Sequence, residues 1–345
     1  MKALRRSGWL AVAASVAFLS TPAVAADGPM VTKIKQRGEL ACGVHTGRYG
    51  FAVADSQGKW IGLDVDFCKA VAAAILGDAN KVKYVPMSAV QRFPALQSGE
   101  IDVLSRTTTV TLTRDVSLGL HFGPTTFYTG TGFMVRKTTK ATKLEQLAGA
   151  TVCVVPGSTT EKNIAALFKA RKIKYTPVVI ESQKAMVGAY FSGRCDVMSM
   201  DHAGLPGHRR FDAKNPDEHF IFEEVYSKEP LAMAIRQGDD QFYDIIKWVT
   251  HVTFNAEEYD VHQANVDEVL KTTTNPDVQR MLGKIGGLGK KLGLDDQWGY
   301  RIIKQVGSYK DIYERNFGEK SPLKLPRGLN KQWTQGGLLY GYPIK

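Results

Sequence analysis

Arg114 closes the run Thr107-Thr108-Thr109-Val110-Thr111-Leu112-Thr113-Arg114-Asp115. A guanidinium offers a planar fork that grips a carboxylate at two points, and threonine hydroxyls and backbone amides beside it add further donors. The competing account is a β-branched strand whose arginine faces solvent or pairs with Asp115, the commoner fate of an arginine. Ser158-Thr159-Thr160-Glu161 has the form of a capping box, with Ser158 as the cap and Glu161 reaching back. A helix start also aims free backbone N–H groups outward and attracts an anion, so capping and binding are compatible. Asp201 precedes His202 and suits either a local cap or an ammonium partner. Tyr49, Phe51 and Trp60 offer ring surface to a ligand, although such residues more often fill a core or lid.

The elements that must position these residues show an internal echo. Leu96 to Ser105 resembles Tyr190 to Ser199 in its order of helix end, glycine and short strand. Before the first copy, Glu39 to Val44 reads as a strand, Asp64 caps a helix with Phe67, Cys68, Val71 and Ile75 on one face, and Val82 to Val85 reads as a strand. Before the second, Ala150 to Val155 is a strand, the helix Thr159 to Lys172 buries Ile164, Leu167 and Phe168, and Tyr175 to Ile180 is another strand. The repeated unit is β-α-β-α-β, so the chain is α/β and holds two lobes, each a mostly parallel sheet flanked by helices. Ligands of such sheets bind beyond the carboxyl ends of the strands. The segments there are His45 to Phe51, Arg106 to Arg114, Pro156 to Glu161 and Met200 to Gly204. This placement favours the binding account of Arg114. An arginine and a helix start on one side of a cleft, with the Asp201 carboxylate on the other, complement a zwitterion such as an α-amino acid.

Composition agrees with a two-domain chain. Its 345 residues, 43% apolar and 23% charged, exclude disorder, collagen and a disulfide miniprotein. Lys2, Arg5 and Arg6 precede an apolar run, and Ala23-Val24-Ala25 follows, so residues 1–25 read as a cleaved secretory signal peptide. No cysteine follows that site to carry a lipid anchor, the first being Cys42. The formal charge of +11 is spread along the chain and not clustered with aromatics, which argues against nucleic acid. No His-x-x-x-His, Cys-x-x-Cys, Walker-type or Gly-x-Ser-x-Gly sequence occurs, so no metal, nucleotide or other cofactor is expected. In an oxidising compartment Cys42, Cys68, Cys153 and Cys195 form two disulfides in one of three pairings. Cys42 with Cys68 and Cys153 with Cys195 is preferred, since a bridge between halves would stop them from moving apart.

Several ordered segments together resemble the extracytoplasmic solute-binding proteins of polar amino-acid ABC importers (family 3), most nearly the general L-amino-acid-binding subgroup. They are Gly62 to Asp66, Leu96 to Asp102, Ser105 to Asp115, Gly157 to Glu161, Gly193 to Asp201, Ser227 to Leu231 and Ser321 to Gly337. The resemblance implies the type II periplasmic-binding-protein fold with two hinge crossings, lobe one being residues 26–128 and 232–345 and lobe two 129–231. It implies that Arg114 holds a ligand α-carboxylate with Thr109 and Thr159, and that Asp201 and the carbonyl side of Thr107 hold the α-ammonium. Arg106 then faces the side-chain end and biases a broad specificity toward Glu, Asp, Gln and Asn. Ser158, Thr160, Tyr49 and Phe51 complete the expected site. The implied partners are a free L-amino acid and an inner-membrane permease with its ATPase subunits, served by a periplasmic monomer that is not an enzyme. The tail beyond Lys284 is longer than in ordinary relatives, and its aromatics are expected to pack on lobe one. Two alternatives share the fold: a cyclohexadienyl-dehydratase-like enzyme, with Glu161 or His202 as general acid, and a protein that presents ligand to a sensor.

Overall fold

The computed structural model describes residues 27–345, so the expected signal peptide lies outside the described residues. The strands, in chain order, are β1 Leu40–His45, β2 Val53–Ala54, β3 Trp60–Ile61, β4 Val82–Met87, β5 Val103–Leu104, β6 Leu120–Thr129, β7 Thr131–Arg136, β8 Thr151–Val154, β9 Thr176–Val179, β10 Val197–Asp201, β11 His219–Ile221 and β12 Glu229–Arg236. One sheet has the order β4-β1-β5-β12-β6 and the other β11-β7-β10-β8-β9, with β2-β3 a small separate hairpin. In the first, β1 is parallel to β4 and β5, and β12 runs antiparallel to β5 and β6. In the second, β8 is parallel to β9 and β10, and β7 runs antiparallel to β10 and β11. The two halves thus share one plan, as the sequence echo predicts. β6 gives way to β7 across Gly130 alone, and Glu229 at the start of β12 pairs with Thr129 at the end of β6. The two connections between the sheets therefore run side by side.

The helices used below are α1 Pro29–Arg37, α2 Leu63–Leu76, α3 Arg92–Ser98, α4 Leu112–Ser117, α5 Thr159–Ala170, α6 Gln183–Phe191, α7 Leu205–Phe211 and α8 Asp240–Glu258. α2 is buried on nearly every face, as a helix apolar all round must be, between β1, α8 and the later helices Trp298–Gln305 and Tyr309–Asn316. It starts at Gly62, whose φ is 137° and where a Cβ would lie 2.0 Å from the Phe51 carbonyl oxygen, so no larger residue fits. Asp64 does not cap this helix as the sequence suggests. It is buried and turned into the site.

Each lobe carries its own disulfide: Cys42–Cys68 joins β1 to α2 with a Cα separation of 6.2 Å, and Cys153–Cys195 spans 5.7 Å in the other lobe. The tail packs on the first lobe. Trp298 and Tyr309 are buried, whereas Trp333 and Tyr340 lie at the surface against one another. Asn330 accepts from the backbone N–H of Tyr128 (2.7 Å) and donates to its carbonyl (3.1 Å), and the Tyr309 hydroxyl donates to the Thr126 carbonyl (2.8 Å). The tail therefore fastens the β6 strand just before the chain crosses. No helix among the described residues is long and apolar enough to cross a membrane.

Candidate functional site

The carboxyl ends of β1, β5, β8 and β10 converge on one buried polar cluster between the lobes. Its cavity, about 30 Å³ and lined by His45, Arg48, Arg92, Arg106, Thr107, Ser158, Thr159, Thr160, Gln183 and Asp201 among others, has room for about one water molecule. This is a closed state. Any larger ligand enters by movement of the lobes or of these side chains.

The run around Arg114 is not a strand. Thr111 is extended and its hydroxyl accepts from the Arg114 N–H, which starts α4, so Arg114 stands in a first helical turn. Its guanidinium donates to the Thr109 carbonyl (2.8 Å) and lies over the Phe93 ring at 5.2 Å, and it makes no pair with Asp115. Burial lowers its pKa against the opposing pull of Glu229 and Asp201, while leaving it a cation. Ser158 caps α5 by accepting from the Glu161 N–H (3.1 Å), and Glu161 reaches back to the Gly157 N–H (3.0 Å), one residue before the cap. Thr109 and Thr159 lie 3.3 Å apart across the lobes, and both hydroxyls donate to Glu229. Glu229 also accepts from Asn163 and Ser227. This carboxylate beside the crossing was not legible in the sequence, because its partners come from three separate segments, Thr109, α5 and Ser227.

Asp201 caps nothing. It forms an ion pair with Arg48 from the other lobe, and Arg48 also donates to Gln183 (2.6 Å). Arg106 donates to the Met87 carbonyl (2.8 Å), Arg92 to the Gly157 carbonyl at 3.3 Å, and the Nε atoms of Arg48 and Arg92 are buried with no protein partner. Arg48, Arg92 and Arg106 are at most 7% exposed. Burial and then the neighbouring Arg48 push the Arg106 pKa down to about 9, and Arg92 is depressed by burial and by Arg106. Burial, with Arg106 and Arg48 next, holds the His45 pKa well below its ordinary value, so the imidazole is neutral. Asp64 accepts from the Thr107 N–H (2.8 Å), which supports the left-handed backbone of Thr107 at φ 39°. Burial raises the Asp64 pKa to about 7, against the lowering effect of that hydrogen bond and of Arg48 and Arg106.

Arg106, Thr107, Ser158, Thr159, Thr160 and Asp201 thus line one cavity, with Arg114 and Thr109 beside it. Two expected residues do not. Phe51 is fully buried in the first lobe's core, 5.0 Å from Phe127 and 4.8 Å from Phe317 by ring centroid, so it belongs to the packing and leaves the candidate set. Tyr49 faces a different, outer cavity. His202 and Glu161 do not line the inner cavity either: His202 bonds the Phe222 carbonyl at 3.0 Å. Arg48, Arg92, Gln183, Asp64 and Glu229 join the site in their place.

A two-lobed α/β molecule with a charged cleft between its sheets defines the class of ligand-binding protein that closes on a small solute. The chain belongs to the bacterial extracellular solute-binding proteins, family 3, which match residues 40–274. It is 50% identical over 338 residues to the general L-amino acid-binding periplasmic protein AapJ of Rhizobium johnstonii, covering 97% of this chain and 98% of that one. It is 44% identical to the glutamate/glutamine/aspartate/asparagine-binding protein BztA of Rhodobacter capsulatus, covering 96% and 98%. Among solved structures, a periplasmic binding protein of an ABC transporter from Brucella ovis with glutathione bound superposes with a TM-score of 0.89 at 48% identity, covering 93% of this chain and 100% of that one. These relatives are transport proteins and not enzymes, and the type II fold expected from the sequence is the one observed.

Proposed function

We propose that the chain captures a free L-amino acid between its lobes in the periplasm and delivers it to an inner-membrane ABC permease with its ATPase subunits. In this reading Arg114 and the start of α5, with Thr109 and Thr159, receive the α-carboxylate. Asp201 and the Thr107 carbonyl receive the α-ammonium. The lobes are 26–128 with 232–345, and 129–231, hinged where the two connections run side by side. The protein acts as a monomer freed from its signal peptide. The relatives' specificities, broad L-amino acids and the acidic amino acids with their amides, support this reading. Glutathione, found on a solved relative, presents the same free α-amino and α-carboxylate groups at its glutamyl end.

The observation that carries the proposal is the charge balance of the inner cluster. Arg48, Arg92 and Arg106 stand at one end with two orphaned Nε donors and only Asp64 and Asp201 to balance them, so an anionic or amide side chain is favoured there. Charge-assisted hydrogen bonds contribute roughly 1.5 to 3 kcal/mol each, so four or five at the two poles exceed the ~8 kcal/mol of micromolar affinity before ordering costs are subtracted. A thermal-shift screen of the mature chain against the twenty L-amino acids tests it. Glu, Asp, Gln and Asn should raise the melting temperature most and several others measurably; no shift with any of them would end the proposal.

A further inference from the structure

A second cavity, about 1020 Å³, lies just outside the inner one. It opens between the β2-β3 hairpin and the 46–50 loop of one lobe and α6 and α7 of the other, and Tyr49, Trp60, Val187, Phe191, Phe211 and Pro322 give it a largely apolar wall. Lys184 also lines it and makes no ion pair among the described residues. Only one layer of side chains separates the two cavities. Arg48 donates to Gln183 (2.6 Å), Gln183 Nε2 lies 3.0 Å from His208 Nε2, His208 Nδ1 lies 2.7 Å from Asp212, and the Tyr49 hydroxyl donates to Asp212 (3.0 Å). All four of these bonds join side chains, so rotamer changes can open the partition without disturbing the backbone, the Arg48–Asp201 ion pair yielding with them.

We propose that the outer cavity is a second subsite, which takes the extension of a ligand whose amino-acid end sits in the inner one, and that the ligand class is the γ-glutamyl amides and peptides. This inference rests on the proposed reading of the inner site. An ordinary dipeptide spends the α-carboxylate of its first residue, or the α-ammonium of its second, in the peptide bond and cannot satisfy both poles. A glutamyl residue linked through its side chain keeps both, and its extension leaves from the side-chain end, where Arg48 and Gln183 form the partition. The aromatic wall suits an apolar residue there, and Lys184 suits its terminal carboxylate.

Calorimetry on the mature full chain with L-glutamate, γ-glutamyl-leucine and α-glutamyl-leucine, repeated on Phe211→Ala, tests this. Phe211 is half-exposed, so its truncation leaves the fold intact. γ-Glutamyl-leucine should bind within about tenfold of glutamate and the α-linked isomer at least a hundredfold more weakly. Phe211→Ala should weaken γ-glutamyl-leucine about tenfold and glutamate less than twofold. Glutamate binding without γ-glutamyl-leucine binding overturns the second subsite and leaves the amino-acid reading standing, as does equal weakening of both ligands in the variant. Failure of glutamate and every other amino acid to bind overturns the reading on which the subsite rests.

Discussion

At the scale of single residues, the arginines decide what the cleft accepts. Arg114 is anchored to the Thr109 carbonyl, so its remaining N–H groups are presented in a fixed direction, and a bidentate grip loses little side-chain entropy. Arg114→Ala should weaken every amino acid by a hundredfold or more in calorimetry, about two charge-assisted bonds' worth, whereas Arg106→Ala should weaken glutamate more than leucine. Micromolar affinity for any amino acid in the first variant removes the role assigned to it. Asp64 gives a pH signature whose sign follows from its raised pKa. Its contribution to stability is fully present below the unfolded carboxylate value near 3.9 and is lost as pH rises through about 7, because the folded state then holds a buried charge. Asp64→Asn removes that loss. The melting temperature of the variant minus that of the wild type should therefore rise between pH 5 and pH 8, and a flat difference would show that Asp64 is not the group responsible. Taking the difference matters, since the depressed pKa of buried His45 makes the opposite contribution as pH falls through the unfolded histidine value.

At the scale of elements, α7 is the surface against which the first lobe closes. A Cβ at Gly207 would lie 2.5 Å from the Tyr49 Cβ, so the approach of the two lobes depends on that missing carbon. Gly207→Ala should hold the lobes apart and weaken glutamate about tenfold while leaving the melting temperature of the free protein unchanged or slightly higher, alanine being the better helix former by ~1 kcal/mol. Calorimetry and thermal melting on the same preparation decide this, and an unaltered affinity would mean that Tyr49 yields without cost. Both β-α-β-α-β units, and the segments that end near the cleft, were legible because parallel sheets impose apolar runs punctuated by glycine and helix caps. What misled was local. The threonine run reads as β-branched, yet Thr111 is a helix cap, and Asp64 stands where a cap would stand but is turned inward. Phe51 reads as a residue beyond a strand end, although Gly62 brings the chain back over it and seals it in the core. Arg48, Arg92 and Glu229 were hidden for another reason. Charged residues are ordinarily solvated, and only the meeting of distant segments buries these three.

At the scale of the whole molecule, the two side-by-side connections allow the lobes to move as bodies while each keeps its own core and disulfide. Hinged closure around a ligand is a recognised mode of such folds. Glutamate at a hundred times its Kd should stabilise the folded chain by ~2.7 kcal/mol. Solution scattering should show the radius of gyration shrinking with glutamate in the wild type and less so in Gly207→Ala; an unchanged radius in the wild type would mean that the free protein already rests in the closed arrangement described above. The sheets also differ in how their strands are drawn from the chain. β7 to β11 form the second sheet from one unbroken stretch, whereas the first takes β1, β4, β5 and β6 early, needs β12 from beyond the second, and has Leu339 sealed within its core. A polypeptide emerging from its amino end can therefore complete its middle portion while its beginning still waits for the last few residues to arrive. The half that starts first is the one that finishes last.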